Sequence, residues 1–131
     1  MYNILAVDGI AAEGIEILKK NFNVEVHDKI SAEELLEIIA KFDALIVRSA
    51  SKVTAEVIAR AENLKIIGRA GVGVDNIDVK AATERGIIVI NSPDGNTIAA
   101  TEHTFAMMAA LSRNIPQANK TMHAGGWDRK K

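Results

Sequence analysis

Five short apolar runs rich in β-branched residues return along the chain: Ile4–Asp8, Val24–Asp28, Ala44–Arg48, Leu64–Gly68 and Ile87–Asn91. Their starts lie about 20 residues apart, which fits one strand, one crossover helix and two short turns. The third, fourth and fifth runs lack polar alternation, and this predicts strands covered on both faces. Between the runs the period becomes helical. Ser31-Ala-Glu-Glu34 reads as a capping box, with Leu35, Leu36, Ile38, Ile39 and Phe42 following at helical spacing. Ile15, Leu18 and Phe22 form a shorter stripe. Thr54 can cap a helix carrying Val57, Ile58 and Ala61, and Asp78 can cap one from Val79 to Arg85 that Gly86 stops. Right-handed crossovers then build a five-stranded, doubly wound, flavodoxin-like α/β sheet. The order 2-1-3-4-5 is chosen on the frequency of that fold more than on particular residues.

After Asn91 the pattern changes. Ser92-Pro93-Asp94-Gly95 is turn chemistry, and Asn96 or Thr97 can cap a longer helix to about Asn114. Pro116 permits a kink or a new helix start, and Gly125-Gly126 ends the regular pattern. The long helix carries Phe105, Met107, Met108 and Leu111 among five alanines, so it is apolar on more than one face and calls for partners on more than one side. The expected division is residues 1–96 as a partial substrate-binding domain and 97–131 as a hinge helix and linker.

Composition narrows the classes of function. The chain has 131 residues, enough for one domain and one core. Its 16 basic and 17 acidic residues nearly cancel, which argues against a polybasic nucleic-acid binder. With no cysteine, disulfide frameworks, thiolate metal sites and cysteine nucleophiles are excluded. Tyr2 to Asp8 reads directly as a strand rather than a leader, and Phe105 to Leu111 is far short of the roughly 20 residues that span a bilayer. A cytoplasmic setting is the expectation.

Ligands of open parallel sheets bind beyond the carboxyl ends of the strands. Three segments fall there: Arg48-Ser49, Arg69 to Asn76, and Asn91 to Asn96. Gly71 and Gly73 at alternate positions would let the backbone take positive φ and gather N–H groups into an anion nest. Arg69 and Arg48 would place two guanidinium forks on its rim, suited to a small acid with two or three negative charges. The alternative is a tight turn whose arginines are solvated or paired with Asp75 and Asp78. Spacing alone leaves both open.

The loop is not a dinucleotide fingerprint. Asn76 stands where a third glycine is needed, Asp75-Asn76-Ile77-Asp78 intervenes before any helix, and the next strand ends in Asn91 rather than an acid. His27, His103 and His123 have no metal-site spacing and read as surface or packing residues. Glu102 and His103 point roughly 100° apart on a helix. Ser49 and Ser51 lie in no nucleophile elbow. Lys52 and the end Arg129-Lys130-Lys131 read as solvated.

Taken together, Val47-Arg-Ser-Ala-Ser-Lys-Val53, Gly68-Arg-Ala-Gly-Val-Gly-Val-Asp-Asn76 and Asn91-Ser-Pro-Asp-Gly-Asn96 resemble the N-terminal part of the phosphoglycerate dehydrogenases, within the NAD-dependent D-2-hydroxyacid dehydrogenase family. The helix with Ala100-Thr-Glu102 and the tail Gly126-Trp-Asp-Arg-Lys130 fit as well, so the resemblance covers essentially the whole chain. It implies oxidation of 3-phosphoglycerate to 3-phosphohydroxypyruvate with NAD, the entry to serine biosynthesis. It also implies that Arg48 and Arg69 face the substrate phosphate. The amides of Val72 and Gly73 would hold the carboxylate, Val72 would border the nicotinamide end of NAD, and Asn96 would lie at the substrate rim. The long helix would cross into a nucleotide domain and join a homodimer interface through residues 97–113.

In that family a Rossmann domain follows, with its glycine fingerprint, a clamping arginine and a Glu-assisted histidine. The chain stops at Lys131 and offers no matching histidine, so the expectation is an inactive fragment with no catalytic residue or metal site of its own. A stand-alone acid-binding or assembly module is the alternative. A phospho-receiver would need clustered acids after the first strand and an Asp after the third, and a flavodoxin a hydroxyl- and Gly-rich first loop; Asp8 alone and Arg48-Ser49 fill those places.

Overall fold

The structure, a computed structural model, describes residues 1–127. The basic end at 129–131 and positions 128–130 of the resembling tail lie outside the described residues. The chain divides into two compact units, Met1–Gly95 and Asn96–Lys131.

The first unit alternates β1 (Asn3–Val7), α1 (Ala12–Lys19), β2 (Asn23–His27), α2 (Ala32–Ile38), β3 (Ala44–Val47), α3 (Ala55–Arg60), β4 (Ile66–Arg69), α4 (Val79–Glu84) and β5 (Ile88–Asn91). The sheet is parallel throughout with order 2-1-3-4-5, the order chosen on the frequency of the fold. Strand bounds shift by a residue or two. Leu64 is core but precedes β4, and the Ile87 amide bonds Ala82 in the turn before β5. Three of the anticipated caps form: the side chains of Ser31, Thr54 and Asp78 accept from the amides of Glu34, Val57 and Ala81. The capping box is made on one side only, because the Glu34 carboxylate is drawn to His27 Nδ1 at 3.4 Å. At Gly86 the chain turns with φ +69°, a conformation that glycine adopts without steric cost.

Right-handed crossovers decide which face each helix covers. The step from β1 to β2 runs one way along the sheet, whereas those leading to β3, β4 and β5 run the other way. One helix therefore covers one face and three cover the opposite one. On the three-helix face Leu5, Leu45 and Ile67 lie in register and fully buried, packed with Leu35, Ile58 and Ala82 from α2, α3 and α4. The other face has rows Ile4–Ala44–Ile66–Ile88 and Ala6–Ile46–Gly68–Ile90. Leu18 and Phe22 flank an apolar trough of about 650 Å³ along it. Towards β5 this face stays open, with Ile88 61% and Ile90 51% exposed. The expectation that β3, β4 and β5 are covered on both faces is thus corrected within this unit: an unbroken apolar strand reports what it can bury, and α1 reaches only one end.

The second unit comprises α5 (Thr97–Ser112) and α6 (Ile115–His123). Asn96 holds the cap position of α5 without a side-chain capping bond. Pro116 begins a new helix rather than kinking the old one: Asn114 turns left-handed at φ 50° and α6 starts at once, with the proline in its first turn. Gly125 and Gly126 close α6 by a Schellman pair, Gly125 N to Met122 O at 3.0 Å and Gly126 N to Thr121 O at 2.9 Å. Within its unit α5 buries none of its residues. No helix among the described residues is long and apolar enough to cross a membrane.

The two sheet faces predict opposite costs for one chemical change. Ile67→Ala, at a site with no exposure, should cost about 2–5 kcal/mol of unfolding free energy. Ile88→Ala, on the open face, should cost less than about 1 kcal/mol. Urea titration of both variants checks this.

Candidate functional site

Beyond the carboxyl edge of the sheet, β1, β3 and β4 deliver three adjacent loops. The first is short and left-handed. Asp8 has φ 65° and Gly9 φ 66°, an uncommon conformation for a residue with a side chain. It swings the Asp8 carboxylate under the loop after β3. There Oδ2 accepts the amides of Arg48 at 2.9 Å and Ser51 at 3.0 Å, while Oδ1 accepts the Ser51 hydroxyl at 2.6 Å. Burial alone would raise the carboxyl pKa, but the Ser51 and Arg48 hydrogen bonds outweigh it and hold the group below its ordinary value. Arg48 itself is exposed, and its guanidinium reaches back to the Gly9 carbonyl at 3.4 Å.

The glycine loop follows β4, whose last residue Arg69 stands in register with Val47. Arg48 therefore emerges one residue further along the neighbouring strand, about 5 Å away laterally. The guanidinium of Arg69 folds over Gly71, where a Cβ would lie only 2.8 Å from its Cζ. Likewise a Cβ on Gly73 would lie 2.8 Å from Asp75 Oδ1. Neither glycine has positive φ. The anticipated reason for these glycines is thereby corrected: neither makes a left-handed turn, and the tips of Arg69 and Asp75 occupy the space beside them. The Gly71 amide is also occupied, bonding Arg69 O at 2.8 Å. Among the described residues no internal acceptor is recorded for the Val72 and Gly73 amides, and Val72 is 39% exposed.

The third clamp on the loop comes from β5. The Asn91 side chain donates to Val72 O at 2.7 Å, and the Ser92 amide to Gly71 O at 3.0 Å. Further along, Asn76 Nδ2 donates to two carbonyls, Arg48 at 2.8 Å and Ser51 at 2.7 Å. Its backbone carbonyl accepts Val53 N at 2.8 Å, beside a parallel bridge between Val53 and Ile77.

Arg48, Arg69, Val72 and Gly73 thus share one edge of the first unit, whereas Asn96 is the first residue of the second unit. The pairing of the arginines with Asp75 and Asp78 is not found: among the described residues neither arginine forms an ion pair, and Asp78 is spent on capping α4. Arg69 Nε is buried without a hydrogen-bond partner. His27 ends β2, engaged by Glu25 at 2.9 Å and Glu34 at 3.4 Å. Two strand spacings separate β2 from β3, roughly 10 Å, so His27 stands apart from the arginines. Among the described residues no three His, Cys, Asp or Glu side chains are gathered as metal ligands.

Comparison with known proteins now bears on this edge. Residues 4–124 match the family model described as D-isomer specific 2-hydroxyacid dehydrogenase, catalytic domain. The chain belongs to that family. It is 54% identical over 130 residues to a D-3-phosphoglycerate dehydrogenase of Synechocystis, covering 99% of this chain and 24% of the relative. A D-3-phosphoglycerate dehydrogenase of Archaeoglobus fulgidus is also 54% identical, over 98% of this chain and 24% of its own. The chain therefore spans about a quarter of the length of these curated relatives. Among solved structures, a Pyrococcus horikoshii protein superposes with TM-score 0.87 at 35% identity, over 99% of this chain and 39% of that one. An NAD+-bound 3-phosphoglycerate dehydrogenase of Entamoeba histolytica gives 0.71 at 32% identity, over 83% and 38%.

Asp8, Asn76 and Asn91 were missed as builders of this edge. Asp8-Gly9 after a strand was a legible turn signal. Asn76 and Asn91 fall inside the candidate segments and the resembling motifs, but neither spacing nor resemblance assigns their side chains a partner.

The Asp8 network predicts a pH dependence. Its folded pKa is depressed, so below the ordinary value the unfolded chain binds the proton first and stability drains away as pH falls. The stability gap between the native chain and Asp8→Asn should be full at pH 6 and shrink below about pH 4. Chemical denaturation across that range would show it, and a gap independent of pH would contradict it.

Proposed function

We propose that this chain supplies the substrate-anion arm of an NAD-dependent dehydrogenase that oxidises 3-phosphoglycerate to 3-phosphohydroxypyruvate, a cytoplasmic step of serine biosynthesis. The observation that carries the reading is the pair Arg48 and Arg69 at one sheet edge, both free of ion pairs among the described residues. Two guanidinium groups suit a phosphate dianion, and the amides of Val72 and Gly73 suit a carboxylate. Asn96 is assigned to the substrate rim. The names of the Synechocystis and Archaeoglobus relatives point to the same substrate.

NAD would accept the hydride released from the substrate carbon. The exposed Val72 suits its nicotinamide end. The loop does not suit its pyrophosphate, because five residues separate Gly73 from the start of α4 at Val79, so that helix does not open directly onto the glycines. The bulk of the cofactor is accordingly assigned to residues beyond this chain. So is the proton-transferring group, since His27 is held by two glutamates away from the arginines. The chain by itself is expected to bind substrate and turn none over. A stand-alone acid-binding module explains the arginines equally well but not the likeness along the whole chain.

Titration of the chain with 3-phosphoglycerate, followed by amide chemical shifts, tests the reading. Dissociation in the millimolar range, roughly 4 kcal/mol, is expected for arginines open to water, weakening with salt. Arg69→Ala should abolish the shifts at residues 70–73. No NADH should form from NAD and 3-phosphoglycerate. Unchanged titration in Arg69→Ala would remove that residue from the site.

The second unit is assigned to a homodimer. Phe105 is 66% and Leu111 77% exposed on α5, with Met107 and Met108 nearby. Each large apolar side chain left in water forgoes roughly 1.5–3 kcal/mol, and exposed patches of that kind seek a protein surface. Analytical ultracentrifugation at tens of micromolar should give a dimer. Phe105→Lys with Met108→Lys should give a monomer. A monomeric native chain would end the assignment.

A further inference from the structure

The loop after β3 is held in an unusual way: the same two residues are gripped twice. Asp8 takes the amides of Arg48 and Ser51 from one side. Asn76 takes the carbonyls of Arg48 and Ser51 from the other. Fixing both polar groups of a residue fixes the planes of the peptides on either side of it, and hence the direction in which its side chain leaves the backbone. For Arg48 that direction sets where the arm carrying the guanidinium starts.

Asn76 belongs to the other anion loop. It lies three residues beyond Gly73, and its own carbonyl accepts the Val53 amide at 2.8 Å. The backbone bridge between Val53 and Ile77 already joins the two segments through the core, with both residues buried. The side chain adds nothing to that bridge. Instead it reaches back to the residue that carries Arg48. Both bonds are donated by Nδ2. An amide nitrogen carries two protons, so the single Nδ2 can span both carbonyls.

We infer that Asn76 is a positioning residue that sets the spacing between the Arg48 arm and the glycine loop, so that one ligand with two anionic groups can engage both. This rests on the reading of that edge as a site for 3-phosphoglycerate. The phosphate would be shared by the arginines and the carboxylate held at residues 72–73, so the ligand spans the junction that Asn76 closes. Inorganic phosphate has no second anionic group and does not need the spacing.

The test compares Asn76→Ala and the milder Asn76→Ser, which keeps one donor, with Ile77→Val. The last weakens the same junction through packing alone and leaves the carbonyl clamp intact. Three quantities are read on the intact chain: unfolding free energy, 15N relaxation of the amides at 49–52, and affinities for 3-phosphoglycerate and inorganic phosphate. Asn76→Ala should loosen 49–52 and weaken 3-phosphoglycerate on the order of tenfold, the worth of one or two hydrogen bonds. Phosphate should change less than about twofold, and Asn76→Ser should fall between. Ile77→Val should lose stability while keeping the native preference between the two ligands. In a double-mutant cycle with Arg48→Ala the losses for 3-phosphoglycerate should be less than additive, because the amide acts through that arginine.

Unchanged relaxation at 49–52 overturns the inference. So does an equal loss of both ligands in Asn76→Ala, or a matching shift of preference in Ile77→Val, since each would reduce Asn76 to a structural support. If the native chain binds neither ligand, the functional reading fails first and the positioning role fails with it. If the native chain binds and Asn76→Ala changes nothing, the inference alone fails.

Discussion

Parallel strands all run out at the same edge of their sheet, and the backbone beyond that edge loses its ladder along a single line. Something else must hold β1, β3 and β4 where they leave. In this chain the first holder is one carboxylate. By adopting a left-handed turn at φ 65°, Asp8 stands in for the strand that is no longer there and offers its oxygens to Arg48 and Ser51. The cost of that backbone conformation is of order 1–3 kcal/mol, and three hydrogen bonds, two of them from the buried Ser51, offset it. The depressed carboxyl pKa is the electrostatic record of the same arrangement. From that point the loops are built outward: Asn76 reaches the same residues from β4, and Asn91 and Ser92 fasten the glycine loop from β5.

Much of the sheet was legible because its signals are local. The 20-residue repeat, the hydroxyl and carboxylate caps at Ser31, Thr54 and Asp78, and Gly86 after α4 each follow from neighbours in sequence. Strand order rested on the frequency of the fold rather than on particular residues; the handedness of crossovers then assigns each helix to a face. Burial of the strands on both faces was not legible. Ile88 and Ile90 look the same in sequence as Ile67, and only the direction of each crossover distinguishes the face with three helices from the face with one. The candidate site was legible in part. Arg48 and Arg69 could be named from their places after β3 and β4, but the role of the glycines was misjudged. Neither has positive φ, and the side-chain tips of Arg69 and Asp75 lie beside them. Contacts between side chains from different loops have no local pattern, which is why Asp8 and Asn76 were invisible as partners.

The second unit carries a different logic. Its helices are terminated by local chemistry, with a left-handed Asn114 between them and a Schellman pair at Gly125-Gly126. The periodicity of α5 has no single apolar side, and the structure agrees in burying none of it within the unit. Local capping fixes where such a helix begins and ends without fixing what it rests against. The sheet's open face poses the same question from the first unit, where Ile88 and Ile90 face outward beside the trough.

The double grip on Arg48 and Ser51 also orders events in time. Asp8 and Ser51 are 43 positions apart, and Asn76 and Arg48 are 28. Closing such separations is entropically slow compared with forming a turn or a short helix. The loop after β3 has one holder within reach when β3 docks beside β1, and its second holder comes with the segment after β4. During synthesis from the N-terminus the second grip can form only once residue 76 has been added. The edge beyond the sheet is therefore completed after β1 and β3 have been made.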